Sequence, residues 1–276
     1  MKKIAILIPT YRRFDDLINT LEKTYIDQRA KFIIVANLED HQLDYLKVNY
    51  SSKAIIEDER KYGKLGGCKA YNLAYKIAKE NGFDYAILFA DDIIPFEKNW
   101  LDKLFKLFIN KEGQFGVFST DECHISHYGW NVILDCVIAH FFIIKINLVE
   151  NLFLDKYTQY AIDFEIAVRL NEKQIPIFLL PIKLNHLRSG VHREFMESNM
   201  SKDIDILISD YPKYKQPLKD NKNLYLAKDY NTVKILSNLS KKDLVEWNQL
   251  NNEEIRFFLK LKNIVKSVIK RGLKLC

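Results

Sequence analysis

The sequence predicts an α/β protein: a mostly parallel sheet flanked by helices, with a C-terminal helical extension. Three observations point there. Short apolar runs alternate with stretches of helical periodicity through the first third of the chain. Of its 276 residues, 48% are hydrophobic and 13% aromatic, which supports a sizeable core and argues against general disorder. Finally, no apolar run approaches the roughly 18 residues that a membrane-spanning helix needs.

The elements follow in order. Residues 3–8 (KIAILI) read as a buried strand. The N-terminus carries two lysines before an apolar run, as an export signal does. That run is short, however, and Pro9, Arg12 and Arg13 follow at once, so a first strand is expected rather than a leader. Residues 14–27 place Phe14, Leu17, Ile18, Leu21 and Tyr25 at helical spacing. A second apolar strand covers 31–36, a short amphipathic stretch 43–48, and a third strand 53–57. Gly63, Gly66 and Gly67 punctuate a loop before a helix over about 68–81, which Gly82 closes as a C-terminal cap. Residues 84–90 (DYAILFA) form another buried strand. Beyond it, a helix over 97–109, strands at 115–119 and 132–144, and a helix over 161–173 are expected. An extended stretch at 175–184, interrupted by Pro176 and Pro181, follows. The main domain is placed at 1–208. The polar, proline-bearing stretch 209–223 reads as a linker or surface excursion, and helices at about 240–250 and 252–271 finish the extension 209–276.

Charge and cysteines narrow the function. The net charge is +6, but the segment from Ile255 to Cys276 alone holds seven basic residues and no acid, leaving the first 254 residues at −1. A nucleic-acid-binding core is therefore not supported. In that segment Phe257, Leu261, Ile264, Val265, Val268 and Ile269 recur at helical spacing among lysines. Such a basic amphipathic helix either lies on an anionic membrane or packs on its own domain with a solvated lysine face. Cys68, Cys123, Cys136 and Cys276 form no paired framework, which fits a reducing cytoplasm. Cys123, His127, Cys136 and His140 suggest zinc. Along a strand, though, Cys136 and His140 would stand roughly 13 Å apart, too far to share one ion. Trp130, expected in a loop, either stacks on a sugar ring or belongs to the core.

In a parallel α/β sheet, ligands bind beyond the carboxyl ends of the strands. Three polar segments fall there: Pro9 to Arg13, Asn37 to Asp40, and Asp91 with Asp92. Adjacent carboxylates repel, so a strand that delivers two of them suggests a bound cation; with oxygen ligands, Mg²⁺ or Mn²⁺ is the natural choice. The competing reading is an N-cap for the helix over 97–109. Asp163 and Glu165 sit near the start of a helix, where acids are favoured by the helix dipole whether or not they do chemistry.

At four places the sequence resembles the family-2-like GT-A glycosyltransferases, whose sheet is Rossmann-like. IAILIPTYRR is similar to that family's first strand and nucleotide loop, and GKLGGCKAYNLAY to its glycine-containing loop and following helix, with Gly66, Ala70 and Asn72 at matching spacing. YAILFADDIIP resembles the strand carrying the DxD-type motif, with Ala90 in place of the first acid. DFEIAVRL resembles the helix with the acidic catalytic motif, with Ile162 in place of the usual preceding Glu. The resemblance runs through most of residues 3–192 and implies roles. Pro9, Thr10, Tyr11, Arg13, Asn37, Gly66 and Asp91 would bind a nucleotide-sugar, a UDP-sugar being the donor implied. Asn37 stands where the family usually has an Asp. Asp92 would hold Mn²⁺ or Mg²⁺, with His186 or, alternatively, His192. Arg188 and Arg193 could hold the diphosphate. Asp163 would be the general base, with Glu165 as the alternative. The implied activity is inverting, metal-dependent transfer to a glycan or lipid-linked acceptor in bacterial surface polysaccharide synthesis, in the cytoplasm or peripheral on the inner face of the plasma membrane. Two other readings remain. One is a degenerate domain of this fold that binds nucleotide or glycan. The other is a sugar-phosphate nucleotidyltransferase, disfavoured because the segment from Pro9 to Arg13 has no glycine.

Overall fold

The computed structural model describes residues 1–63, 65–120, 132–133, 136–137, 141–157, 162–173, 175, 177–187, 202–203 and 205–212, and the statements below concern these. The expected linker beyond residue 212 and both C-terminal helices lie outside the described residues, as do Cys123, His127, Trp130, His140, Arg188, His192 and Arg193. Residues 205–210 are helical, across the expected boundary after 208. Among the described residues, no helix is long and apolar enough to cross a membrane.

In chain order the elements are β1 (Ile4–Tyr11), α1 (Phe14–Lys23), β2 (Ala30–Asn37), α2 (Asp40–Tyr50), β3 (Ala54–Asp58), α3 (Gly66–Glu80), β4 (Tyr85–Leu88), β5 (Ile93–Pro95), α4 (Trp100–Leu107), β6 (Phe115–Thr120), β7 (Val132–Ile133), β8 (Cys136–Val137), β9 (Phe142–Lys145), α5 (Ile162–Glu172) and β10 (Ile177–His186). Eight strands form one sheet in the order β3-β2-β1-β4-β9-β6-β10-β5, and β7 and β8 pair separately. The first half, β3-β2-β1-β4, is parallel throughout. The second half is mixed: β9 runs antiparallel to both β4 and β6, β10 is parallel to β6, and β5 is antiparallel to β10.

Strand alternation divides the core. Ile4, Ile6 and Ile8 of β1, Phe32 and Ile34 of β2, and Tyr85 and Ile87 of β4 share one apolar cluster with Leu17 and Leu21 of α1, Leu43 and Leu46 of α2, and Trp100, Leu101 and Leu104 of α4. The intervening Ala5, Leu7, Ile33 and Val35 are equally buried, on the opposite face, and α3 packs on β1 and β2. Ala70, Ala74 and Ala78, one turn apart and all buried, line α3 with small side chains that let it approach the sheet closely. The central strands are covered on both faces, which is why their sequences read as continuous apolar runs without alternation.

Three expectations change. The run 132–144 is not one strand: β7 and β8 pair with each other, and only β9 joins the main sheet. Apolarity marks such residues as buried but does not say which partner they pair with. In place of the stretch at 175–184, β10 runs from Ile177 to His186 and passes through Pro181, where its register against β6 shifts between Leu180 and Lys183. An irregularity of this kind is where a strand tolerates a residue with no backbone N–H. Lastly, β5 was not anticipated.

Two glycines near the start of β6 pack closely against their neighbours. A Cβ added at Gly113 would stand 2.3 Å from Cε2 and 2.4 Å from Cδ2 of Phe108, a fully buried ring. At Gly116 the nearest atom would be the flexible Cδ1 of Leu180 at 2.9 Å. Gly113→Ala is therefore expected to destabilise the protein by about 1–3 kcal/mol, and more than Gly116→Ala, in urea unfolding. Equal stability of the two variants would contradict this packing.

Candidate active site

The site is built where β1, β2 and β4 end. β1 and β2 stay in register to their last residues, so Tyr11 pairs with Asn37, and Arg12 N–H donates to the Asn37 carbonyl at 3.0 Å. Tyr11 is 47% exposed and Asn37 is half-buried, so both stand at the open edge. Arg12 then adopts φ 56°, a left-handed conformation that a residue with a Cβ rarely takes, and Arg13 follows as the N-terminal boundary of α1. This turn folds the Arg13 side chain back over the sheet edge.

Below it lie Asp91 and Asp92, which are 4% and 3% exposed. They occupy a tight turn between β4 and β5, closed by Ile93 N–H on the Ala90 carbonyl. Since β5 intervenes and α4 begins only at Trp100, with Asn99 at its N-cap, the pair does not cap a helix. The turn is anchored on two sides: the Thr20 hydroxyl donates to the Asp91 carbonyl at 2.8 Å, and Leu187 N–H donates to the Asp92 carbonyl at 2.9 Å. The latter contact extends the antiparallel pairing of His186 with Ile93. The backbones of Asp92 and His186, distant in sequence, thus run side by side. The side chain of His186 lies outside the described residues.

Arg13 dominates the electrostatics. Its Nη1 donates to Asp91 Oδ1 at 2.7 Å, its Nη2 to Asp92 Oδ2 at 2.8 Å, and its Nε to Asp16 Oδ2 at 3.0 Å. The second oxygen of Asp91 accepts from the Thr10 hydroxyl at 2.7 Å. Burial pulls the Arg13 guanidinium down, but the hydrogen bond to Asp92 and the charges of Asp91 and Asp92 hold it above its ordinary value. For Asp91, burial outweighs the opposing pull of Thr10 and Arg13 and pushes the carboxyl up to about 6. Asp91 and Asp92 offer buried carboxylate oxygens, the ligand type a hard divalent cation takes, and the partly exposed Asp16 stands on the third side of the guanidinium. Among the described residues, no group of three or more His, Cys, Asp or Glu side chains is placed to hold a metal ion.

Other expected residues fall as follows. Gly66 takes φ 74°, which explains a glycine there, and starts α3. The loop before it is tied down by Leu65 N–H on the buried Glu59 carboxylate at 3.0 Å. Asn72 is structural: its amide donates to the Phe153 carbonyl at 2.8 Å and accepts from Phe153 N–H at 3.0 Å, pinning that loop to α3. Asp163 is the second residue of α5, and its side chain lies outside the described residues. Glu165 is fully buried and bound by Arg169 at 3.0 Å; Arg169 also donates to the carbonyls of Asn151 and Leu152. That contact set makes Glu165 a packing anchor. Burial pushes its carboxyl up against the pull of Arg169. Sequence reasoning passed over Asp16, Thr20 and Tyr71. The Tyr71 hydroxyl donates to the Phe89 carbonyl at 2.8 Å and is pushed up by burial and then by the charges of Asp91 and Asp92. The available signal was position: Asp16 and Thr20 share a helix face with Arg13, three and seven residues after it.

No protein-family model and no curated protein matches the sequence. Solved structures do match the fold. The mannosyltransferase PcManGT from Pyrobaculum calidifontis, in complex with GDP-Man and Mn²⁺, superposes with a TM-score of 0.58 at 12% identity, covering 95% of this chain and 84% of that one. Glucosyl-3-phosphoglycerate synthase from Mycobacterium tuberculosis, in complex with Mg²⁺ and UDP, gives 0.54 at 9% identity over 75% and 79% of the two chains. TarS 1–349 from S. aureus gives 0.50 at 14% identity over 79% and 75%.

The fold is GT-A.

In this GT-A sheet the expected strand-to-loop segments lie at one edge. Pro9, Thr10, Tyr11, Arg13, Asn37, Asp91 and Asp92 all lie where β1, β2 and β4 end, and the end of strand β10 joins them.

Because the folded-state value of Asp91 lies above its unfolded one, protonation of this carboxyl favours the fold. Its contribution is complete below about pH 4 and is lost as pH rises through about 6. The stability difference between wild type and Asp91→Asn in urea titrations is expected to move against wild type by on the order of 2–3 kcal/mol across that window. A pH-independent difference would show that burial does not govern this group.

Proposed function

We propose that the protein is a nucleotide-sugar-dependent glycosyltransferase, and that Asp91, Asp92 and the end of β10 form its donor site. The observation that carries this reading is a buried pair of carboxylates at the carboxyl edge of a GT-A sheet, with β10 folded back to bring His186 alongside. Solved proteins of the same fold carry GDP-Man with Mn²⁺, or UDP with Mg²⁺. A UDP-sugar is the donor favoured by the sequence resemblance, with Tyr11 and Asn37 at the base and ribose.

Asp92, together with His186, would hold Mn²⁺ or Mg²⁺. When bound, the cation supplies charge neutralisation for the departing nucleoside diphosphate. Thr10 and Arg13 each hold one oxygen of Asp91, which in this reading faces the nucleotide. Asp163, in the first turn of α5, accepts the proton of the acceptor hydroxyl as that oxygen attacks the anomeric carbon. The bond from that carbon to the diphosphate oxygen breaks on the opposite face, so the configuration inverts. The acceptor in this reading is a glycan or lipid-linked sugar of a bacterial surface polysaccharide. The reaction takes place on the cytoplasmic side, with the basic C-terminal segment resting on the membrane.

Two measurements test this. A thermal-shift screen of nucleotide-sugars with Mn²⁺ is expected to find a stabilising donor. In a transfer assay, Asp163→Asn is expected to lower kcat by about 10²–10⁴-fold while leaving donor binding in place, whereas Asp92→Asn is expected to abolish the response to Mn²⁺. If no nucleotide-sugar shifts the melting temperature, or if the Asp163→Asn enzyme keeps full turnover, the reading fails.

A further inference from the structure

Arg13 already holds one oxygen of each carboxylate that a cation at this pair would meet. Nη1 and Nη2 reach one oxygen each of Asp91 and Asp92, Nε is braced by Asp16, and the remaining oxygen of Asp91 accepts from Thr10. The two carboxylates are buried, whereas the Arg13 side chain is 30% exposed, so the guanidinium covers the pair from the solvent side. A divalent cation seated between the two carboxylates would stand against the guanidinium, and like charges at contact distance repel strongly in a buried setting. The strained turn at Arg12, with φ 56°, directs Arg13 into this position.

We infer that Arg13 is a displaceable internal counter-cation: it closes the Asp91 and Asp92 pair in the ligand-free chain, and a divalent cation binds there only by replacing it. Without a cation, the guanidinium offsets the repulsion between neighbouring buried carboxylates. With one, its planar fork is released at the mouth of the site, where it suits phosphate oxygens. Cation and nucleoside diphosphate then bind cooperatively, since the diphosphate gives the displaced guanidinium a new partner. This last step rests on the proposed donor site; the exchange at the carboxylates does not.

Calorimetric titration of Mn²⁺ alone into wild type, Arg13→Met and Arg13→Lys, with folding checked by circular dichroism, separates the outcomes. The Met variant is expected to bind Mn²⁺ about 10-fold tighter or more, as follows from removing a charge-assisted competitor. The Lys variant is expected to tighten as well, because a single ammonium cannot bridge two carboxylates as the fork does. Equal affinities in all three proteins overturn the inference, as does tightening confined to the Met variant, which would mean that only the field of the charge matters. Absence of Mn²⁺ binding in every protein overturns it too. A wild-type readout stands independently of the variants: the Arg13 Nε–H resonance, held by Asp16, is expected to shift and lose exchange protection as diamagnetic Mg²⁺ is added. An unchanged signal at saturating Mg²⁺ overturns the inference. UDP titrations with and without Mn²⁺ read the donor-site proposal separately, since exchange at the carboxylates can hold in a protein that binds no nucleotide, and the converse is equally distinguishable.

Discussion

Two carboxylates that leave a buried strand side by side repel each other, and each loses hydration in doing so. Much of this site answers that constraint. Thr10 at the end of β1 and Arg13 at the start of α1 supply hydrogen bonds and a charge. Thr20, further along α1, holds the turn that carries the acids, and Asp16 steadies the guanidinium. The first loop, the first helix and the turn after β4 are therefore one electrostatic unit, although some eighty positions separate its two halves. Arg12 in a left-handed conformation is the local strain that this unit sustains.

The mixed half of the sheet gives the second part of the chain its place in the site. A parallel β3-β2-β1-β4 sheet could end at β4 and still present Asp91 and Asp92. Instead β9 reverses direction beside β4, β6 and β10 follow, and β5 pairs with the end of β10. Through that pairing, Leu187 N–H reaches the Asp92 carbonyl. The short β5 is thus the hinge of the architecture: it starts immediately after the acidic pair and is the strand on which β10 closes. Asn72 and Arg169 do comparable work elsewhere, holding the loop at 151–153 by its backbone groups.

How much of this was legible beforehand follows physical lines. β1, β2 and β4 were readable because strands buried on both faces need unbroken apolar runs, and α3 because its alanines recur with helical period. The convergence of Thr10, Arg13, Asn37 and the Asp pair followed from the rule that loops meet at the carboxyl edge of a parallel sheet. β5 was not readable: three residues, Ile93 to Pro95, have no period long enough to register. The continuity of β10 through Pro181 was hidden too, because a proline argues against a strand unless the register shift that accommodates it is known.

Sequence alone therefore determined the α/β class, the parallel first half and the residue types gathered at its edge, since these follow from local periodicity and from where strands must end. Tertiary structure decided what those residues do to one another. The acidic pair could have been a helix cap, and only the intervening β5 excluded that. Arg13 read as one of several nucleotide-facing residues, yet in the fold its guanidinium bridges both carboxylates. Glu165 read as the alternative to Asp163 on one helix, and the fold buries it against Arg169. In each case the deciding quantity is a contact between residues far apart in the chain or a degree of burial, and neither is encoded in the order of neighbouring residues.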